Sequence, residues 1–325
     1  MKLKKVTVFG GGTGSFITLS GLKSYSIDLA SIVNMMDSGG STGRLRDQLE
    51  VLPPGDFRQC LVALSEAPVL WRKLFLYRFN KGDLNGHNFG NILLSALEKV
   101  TSNYQDVVKA ANYILKIKGH VIPVTFDNVN LTAQYQSGKF ITSESKIEKY
   151  LTTTDRINRV YLQPEAMANP LAIKRVKQSD YLIFGPGDLF TSIIPTLLVK
   201  GIKESVTHSK AKLIYIMNLM TKLGQTTSYT AMDHIFMLEK YLFRKIDIVV
   251  MNNGKISKDI IKWYLANKET LVANDILIST VRKLIFADLI DRKIYTKEAS
   301  DKLSRSLVRH DQKKLGELLS KIIIC

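Results

Sequence analysis

The chain has 325 residues, of which 45% are hydrophobic and 23% are charged. This composition is typical of a globular protein and excludes disordered, collagen-like and disulfide-scaffold chains. The length suits one large α/β domain or two ordinary ones. Because no repeat or linker interrupts the sequence, we expect a single domain over residues 1–325. An excess of 46 Lys and Arg over 29 Asp and Glu gives a net charge of +17, which favours anionic partners in general.

Cysteine usage and hydropathy indicate the compartment. The chain contains only Cys60 and Cys325, too few for a disulfide framework. No apolar stretch approaches the roughly 20 residues of a membrane span. The basic start at residues 2–5 leads into an apolar run that ends at once in glycines, so it does not form a secretory signal. We expect a cytoplasmic protein without a membrane span.

Short apolar runs alternate with helical patterns along most of the chain. Strands are predicted at residues 6–9, 29–36, 181–184, 213–217 and 246–251, and helices at 16–22, 232–242 and 311–324. Nearly continuous apolar runs are typical of strands buried on both faces of a parallel sheet. The alternation therefore predicts βαβ units with right-handed crossovers around one central sheet.

Two regions break this alternation. Residues 57–118 predict several consecutive helices without a strand. Residues 120–150 instead predict short strands at 120–124, 129–135 and 140–142, with a hairpin turn at 136–139 joining the last two. We expect residues 120–150 to form a small antiparallel insertion beside the main sheet.

Glycine-rich turns follow four of the predicted strands. The carboxyl ends of parallel strands meet at one edge of a sheet, where ligands bind. Glycine lets backbone N–H groups approach a phosphate, and a following helix adds a positive dipole end. The turns therefore predict a pocket for a large anionic ligand. Candidate contacts are Gly11, Gly12, Thr13 and Gly14 in the first turn, Asp37, Gly39, Gly40, Ser41, Thr42 and Arg44 in the second, Gly185 and Gly187 in the third, and Asn218 and Thr221 in the fourth.

Each turn also has a purely structural interpretation. The first departs from the dinucleotide fingerprint G-x-G-x-x-G, because Ser15 stands where the third glycine belongs. Ser41 and Thr42 could equally cap a helix, and Arg44 could be a solvated surface charge. A single turn of this kind does not decide between tight-turn chemistry and ligand binding.

Two further segments carry polar side chains to the start of predicted helices. Asp56 follows a rigid Pro-Pro-Gly turn, where it either caps a helix or meets Asp37 and holds a divalent cation. His87, Asn88 and Asn91 either contact a ligand or cap the helix that follows. His87 has no cysteine or second histidine at zinc-ligand spacing. The H-E-x-x-H and Walker A motifs are absent from the sequence.

Taken together, these segments resemble one bacterial family. The motifs are Gly-Gly-Gly-Thr-Gly at 10–14, Asp37 with Gly-Gly-Ser-Thr-Gly at 39–43, Pro-Pro-Gly-Asp at 53–56, Gly-His-Asn-Phe-Gly-Asn at 86–91, Gly-Pro-Gly-Asp-Leu-Phe-Thr-Ser-Ile-Ile-Pro at 185–195 and the stretch 218–234. The family is the gluconeogenesis-factor (YvcK-like) branch of the 2-phospho-L-lactate transferase-like superfamily, and the resemblance runs from residue 6 to about 311. It implies a three-layer Rossmann-like α/β fold with helices on both faces of a mostly parallel sheet.

The resemblance also implies a function. Proteins of this branch bind a UDP-sugar, UDP-N-acetylglucosamine in particular, and link carbon metabolism to cell-wall synthesis and cell shape. By similarity, Tyr264 and Arg309 would hold the nucleotide sugar. A regulatory protein partner, as yet unidentified, and self-association into a homo-oligomer are further expectations. Nucleic acid is disfavoured as a ligand, because the basic residues are scattered and no recognised binding motif is present.

The related transferase branch defines the alternative. Its members move a phospholactyl group from a nucleoside diphosphate donor, using aspartates and a divalent metal, so Asp37, Asp56 and Mg²⁺ would be the catalytic set here. The family commonly has a second acid where this chain has Ser38, and the loss of a carboxylate removes an oxygen ligand for Mg²⁺. Gln59 stands where asparagine is usual. The sequence therefore favours a non-catalytic nucleotide-sugar sensor and leaves catalysis open.

Overall fold

The computed structural model describes residues 2–277, 280–293 and 306–324. The strands are β1 Lys5–Gly10, β2 Asp28–Val33, β3 His120–Pro123, β4 Asn130–Tyr135, β5 Phe140–Thr142, β6 Ile157–Gln163, β7 Tyr181–Phe184, β8 Lys212–Ile216, β9 Ile248–Asn252 and β10 Lys283–Ala287. The helices are α1 Gly12–Leu22, α2 Gly40–Leu49, α3 Pro54–Leu64, α4 Val69–Leu76, α5 Phe89–Val100, α6 Tyr104–Leu115, α7 Glu144–Lys149, α8 Pro170–Gln178, α9 Ile194–Leu198, α10 Ile202–Thr207, α11 Ala231–Leu242, α12 Lys258–Ala266 and α13 Gln312–Ile324. A π-helical turn, Leu189–Ile193, precedes α9.

The centre of the molecule is a seven-stranded parallel sheet in the order β10-β9-β8-β7-β1-β2-β3. The β7 strand is buried along its whole length, and β1 and β8 are buried except at their first residue. This burial explains why the apolar runs predicted these strands. The β2 strand ends at Val33, three residues before the predicted end, because residues 34–36 already lead into the second glycine turn.

The order of the strands reverses between β1 and β7. From β1 the chain moves outward to β2 and β3, and from β7 it moves outward the other way to β10. Val6 is paired with Tyr181 at this junction. In an open α/β sheet the two loops that leave such a junction diverge and open a crevice. The turns after β1 and β7 are therefore placed on either side of the expected ligand position.

Helices pack on both faces of the sheet, which confirms the three-layer α/β fold. In one group α1 packs against α3 and α13, and in the other α8, α9, α10 and α11 pack together. The consecutive helices predicted within residues 57–118 are α3 to α6. No helix within the described residues is both long and apolar enough to cross a membrane.

The antiparallel insertion is confirmed in part. The β4–β5 hairpin forms as predicted, and β6 extends it to a three-stranded sheet in the order β5-β4-β6. The prediction was wrong for β3, which pairs in parallel with β2 and belongs to the main sheet. Hydrophobic alternation shows that a strand has a buried face but does not identify its partner, so β3 was assigned to its neighbours in sequence. The antiparallel sheet covers residues 130–163, and the count of one domain stays a prediction.

The contact between α1 and α13 depends on two glycines. A Cβ on Gly21 would lie 3.2 Å from the Cα of Gly316, and a Cβ on Gly316 would overlap the carbonyl of Gly21. The two backbones therefore touch without intervening side chains. Since α1 begins at the first glycine turn, this contact also fixes where that turn lies.

We expect Gly316→Leu to lower the free energy of unfolding by about 1–3 kcal/mol or more, because the new side chain forces α13 away from α1. Leucine is a good helix former, so helix propensity cannot cause the loss. Urea denaturation measures the effect, and Glu317→Leu places the same side chain at the exposed neighbouring position as a control. Equal midpoints for the two variants would show that the glycine contact is not required.

Candidate ligand-binding site

A cleft of about 220 Å³ opens where the strand order reverses. It is lined by the turns that follow β1, β2, β7 and β8, so the four turns predicted from glycine placement do meet at one edge. The predicted residues that line it are Gly11, Gly12, Thr13, Gly14, Asp37, Asp56, Gly187, Asn218, Thr221, Tyr264 and Arg309. This edge of the sheet is the one at which the carboxyl ends of the strands emerge.

Glycine is required in the first turn because other elements approach its backbone closely. A Cβ on Gly14 would overlap the carbonyl of Pro186, and a Cβ on Gly11 would overlap the carboxylate of Asp56. Gly12 has φ of +64°, which side chains rarely adopt. Gly11 forms the N-cap of α1 without a side-chain hydrogen bond, so the helix presents backbone N–H groups at the cleft. One of them, on Gly12, donates to Asp56.

The turn after β7 is fixed from the opposite side. The backbone N–H of Gly187 donates to Oδ1 of Asn218 at 3.2 Å, which ties the turn after β7 to the turn after β8. Gly185 has φ of +82° and does not line the cleft. Asn218 therefore positions the turn after β7, and it also lines the cavity.

A second group of predicted residues lies behind the cleft and does not line it. Ser41 accepts from the backbone N–H of Asn88 at 3.2 Å and lies 3.3 Å from Nδ1 of His87. The side chain of Asn91 donates to Thr42 at 3.4 Å. These buried contacts join the start of α2 to the start of α5. Gly39, Gly40 and Arg44 likewise do not line the cavity, so direct ligand contact by this group stays a prediction.

The structure also decides between the capping alternatives. The N-cap of α2 is Gly39, and neither Ser41 nor Thr42 caps that helix. The N-cap of α3 is Pro53, so Asp56 in the first turn is available to the cleft. Asn88 does cap α5, because its side chain accepts from the backbone N–H of Asn91.

Several carboxyl groups line the cleft. Burial, with the nearby charge of Asp37, raises the pKa of Asp56 to about 8. Burial also raises the pKa of Glu144 well above its usual range, and Asp37 and Glu148 add to that shift. These carboxyl groups are therefore held close enough to disfavour each other's ionisation.

Ser38 connects Glu144 to the second glycine turn. The backbone N–H of Ser38 donates to Oε2 of Glu144 at 3.1 Å, and the Ser38 hydroxyl accepts from the backbone N–H of Ser145 at 3.0 Å. A carboxylate from α7 therefore lies beside the position that carries serine in this chain. The sequence did not indicate Glu144 and Glu148 as site residues, because nothing local links α7 to a turn more than 100 residues earlier.

Two cations also line the cleft. Burial lowers the pKa of Lys222, but the charges of Asp188, Glu148 and Glu269 outweigh it and raise that pKa overall. Lys222 is thus firmly protonated. Lys222 and Asp188 lie within turns that the glycine pattern had marked, whereas no sequence signal pointed to Glu269. Arg309 is the second cation, on a segment that follows the residues not described.

Tyr264 holds the segment that carries Arg309. Its hydroxyl oxygen accepts from the backbone N–H groups of Leu307 at 3.0 Å and Val308 at 3.4 Å, and the residue is 2% exposed. Burial raises the pKa of Tyr264, so the hydroxyl stays neutral. Tyr264 therefore lines the cleft and also positions Arg309.

The described residues do not form a complete metal cage. Within residues 2–277, 280–293 and 306–324, no three carboxylate, histidine or cysteine side chains converge as ligands of one ion. Asp37 and Asp56 supply two carboxylates, and Mg²⁺ is commonly held by one or two carboxylates together with substrate phosphates. The residues fit that arrangement, and Mg²⁺ binding stays a prediction.

We expect Asp56→Asn to stabilise the protein more at pH 8 than at pH 5. The pKa of Asp56 is raised to about 8 in the fold, so the stability that the protonated group contributes is present at low pH and is lost as pH rises toward 8. Asparagine keeps the shape and cannot ionise. Urea denaturation at several pH values measures the difference, with the exposed Asp83→Asn as control. A parallel pH dependence in wild type and Asp56→Asn would contradict the expected burial of this carboxyl.

Comparison with known proteins identifies the family. A family model described as 2-phospho-L-lactate transferase CofD matches residues 6–290. The gluconeogenesis factor of Bacillus subtilis is 38% identical, over 98% of this chain and 98% of that protein, and the gluconeogenesis factor of Listeria innocua is 40% identical, over 79% and 80%. A crystal structure of a UPF0052 family member from Bacillus halodurans superposes with a TM-score of 0.88 at 33% identity, covering 98% of this chain and 99% of that one. The chain belongs to the CofD family and, within it, to the gluconeogenesis factors.

Proposed function

We propose that this gluconeogenesis factor is a cytoplasmic regulatory protein that binds a UDP-sugar, UDP-N-acetylglucosamine in particular. The observation that carries the proposal is the cleft at the sheet reversal, where glycine-turn amides, two cations and several carboxyl groups line one cavity. A nucleotide sugar has the matching pair of chemistries, an anionic diphosphate and hydroxyl-rich sugar rings.

The diphosphate fits the glycine turns. The start of α1 offers backbone N–H groups and the positive end of a helix dipole, which favour a phosphate. Lys222 and Arg309 add charge-assisted hydrogen bonds, which are about twice as strong as neutral ones. The net charge of +17 draws anionic ligands toward the molecule.

The carboxyl groups fit the hydroxyl groups of the ribose and the sugar. An ionised carboxylate accepts from a hydroxyl group, and a protonated carboxyl both accepts and donates. Because the pKa of Asp56 is raised to about 8, this group is largely neutral at pH 7 and does not repel a neighbouring diphosphate. Protonation of Asp56 therefore reduces the repulsion between the carboxyl groups and an anionic ligand in the same cleft.

The regulatory part of the proposal rests on the relatives, which are named gluconeogenesis factors. We infer that the bound nucleotide sugar reports the state of carbon metabolism, and that a protein partner passes the signal to cell-wall synthesis and cell shape. Self-association belongs to the same proposal.

A transferase is the second candidate, and the CofD family match over residues 6–290 favours it. In that reaction Asp37 and Asp56 would hold Mg²⁺, which supplies charge stabilisation at the phosphate under attack. Lys222 and Arg309 would bind the phosphates of a nucleoside diphosphate donor, and the glycine turns would orient them. These residues would then bind and orient a phospholactyl donor.

We expect Arg309→Ala to weaken UDP-N-acetylglucosamine binding at least tenfold, because a hydrogen bond to a charged group contributes about 1.5–3 kcal/mol. Isothermal titration calorimetry with UDP-N-acetylglucosamine, UDP-glucose and UDP measures the affinities. Arg292→Ala removes an exposed arginine and serves as the control. No binding of any of the three ligands to the wild-type protein would overturn the sensor proposal.

Asp37→Asn separates the two candidates. For a sensor we expect affinity for UDP-N-acetylglucosamine to change less than about tenfold, since only one hydroxyl contact is altered. For a transferase we expect loss of turnover. The assay follows nucleotide release from a lactyl-diphosphonucleoside donor in the presence of Mg²⁺. Release by the wild-type protein that disappears in Asp37→Asn would establish the transferase instead.

A further inference from the structure

An exposed apolar surface lies far from the cleft, at the start of α4. Pro68, Val69, Leu70 and Trp71 follow one another in sequence and are all exposed, and we call them the apolar tip. The exposed fractions are 56% for Val69, 68% for Leu70 and 40% for Trp71. Four consecutive exposed apolar residues are unusual on a folded surface and mark an interaction site.

The position of the apolar tip is fixed by backbone hydrogen bonds. The N–H of Lys118 donates to the carbonyl of Leu64 at 3.0 Å, and the N–H of Ala67 donates to the carbonyl of Leu115 at 3.1 Å. The partner segment leads directly into β3, so the tip lies at the amino edge of the sheet. The ligand cleft opens at the carboxyl edge, and the two surfaces therefore face opposite ends of the molecule.

Cations surround the base of the apolar tip. Lys23 donates to the carbonyl of Ser65 at 2.9 Å. Burial and the nearby Arg72 lower the pKa of Lys23, which shows that positive charges crowd here. Lys116 and Lys118 lie on the paired segment and are exposed. We call Lys23, Arg72, Lys116 and Lys118 the basic border.

Negative charge at the same place is small. Glu66 is the acidic residue beside the border, and its ion pair with Lys118 spans 4.0 Å between half-exposed side chains. Such an exposed pair is weak. The border therefore keeps a positive excess, in line with the net charge of +17 of the whole chain.

We propose that the apolar tip and its basic border dock the protein on an anionic lipid bilayer. Aliphatic and tryptophan side chains enter the boundary between headgroups and acyl chains, and flanking lysines and arginines bind anionic headgroups. A second copy of this chain fits worse, because two surfaces of the same positive charge repel each other. With the tip in the bilayer, the cleft at the opposite edge stays open to a soluble ligand.

The binding assay is sedimentation of the full chain with vesicles. We expect binding to vesicles made of equal parts phosphatidylglycerol and phosphatidylcholine, and at least tenfold weaker binding to phosphatidylcholine alone. Each basic residue near an anionic surface is worth roughly a fivefold change in affinity. Salt at about 1 M, which shortens the Debye length to about 3 Å, should release most of the protein.

Matched variants test the residues. We expect Leu70→Glu/Trp71→Glu and Lys116→Glu/Lys118→Glu each to weaken binding at least tenfold. The control for the first is Phe236→Glu, which changes a similarly exposed side chain, 66% exposed, on α11. The control for the second is Lys240→Glu/Lys268→Glu; Lys268 and Lys116 are both exposed and both have positive φ. Controls and wild type should bind alike.

Fluorescence tests insertion without a charge change. The chain has two tryptophans, Trp71 and Trp263, so Trp263→Phe leaves only the one in the apolar tip. Its emission should shift to the blue on anionic vesicles and be quenched by brominated acyl chains. The proposal is overturned by unchanged emission, by equal binding to both vesicle types, or by Leu70→Glu/Trp71→Glu binding like wild type. A concentration-dependent dimer abolished by Leu70→Glu/Trp71→Glu, without vesicle binding, would assign the tip to a second copy.

Discussion

The backbone contact between the first and third glycine turns determines the rest of the site. Gly14 lies so close to the carbonyl of Pro186 that no side chain fits between them, and Gly11 lies equally close to Asp56. The sheet reversal alone opens a crevice, but these contacts set its width. Backbone N–H groups can then reach a phosphate from two sides. Any residue larger than glycine at position 14 would move the turns apart and change the cleft.

The cleft combines charges of both signs, which the net charge of the chain does not reveal. Lys222 and Arg309 lie in the same cavity as Asp37, Asp56 and Glu144. Ionised carboxylates beside a diphosphate would be strongly repulsive, and the raised pKa values of Asp56 and Glu144 reduce that repulsion by favouring the neutral forms. A cation bound beside these groups would lower their pKa values and favour their ionised forms. A neutral sugar is therefore compatible with protonated carboxyl groups, whereas Mg²⁺ requires ionised ones.

The sequence was informative wherever the signal is local. Strands β1, β7 and β8 are buried on both faces and read as apolar runs, and the glycine turns that follow them were placed correctly at one edge. The sequence was uninformative about which distant segments pair with each other. The parallel partner of β3 could not be read from its own residues.

The same limit applies to the site. Glu144 reaches the cleft because α7 follows the antiparallel hairpin and packs against β4 and β5, which is a tertiary arrangement. Conversely, Ser41, His87 and Asn91 have the polar character of ligand residues but bond to other protein groups. Ser41 lies within hydrogen-bond distance of His87 and accepts from the backbone N–H of Asn88, and the Asn91 side chain bonds to Arg58 and Thr42. Polarity near a glycine turn thus predicts a role at the site without distinguishing lining residues from supporting ones.

One helix connects the two surfaces of the molecule. The α3 helix begins beside Asp56 at the cleft and ends at Leu64, whose carbonyl accepts from Lys118 at the base of the apolar tip. Its 11 residues span roughly 16 Å, and nearly all are buried, so it is held as a rigid element. Such an element transmits a signal only if it can occupy two alternative positions and the ligand binds the protein with different affinity in each. Linkage makes such coupling reciprocal. If the nucleotide sugar changes the affinity of the α4 surface for its partner by some factor, binding of that partner changes the affinity for the nucleotide sugar by the same factor.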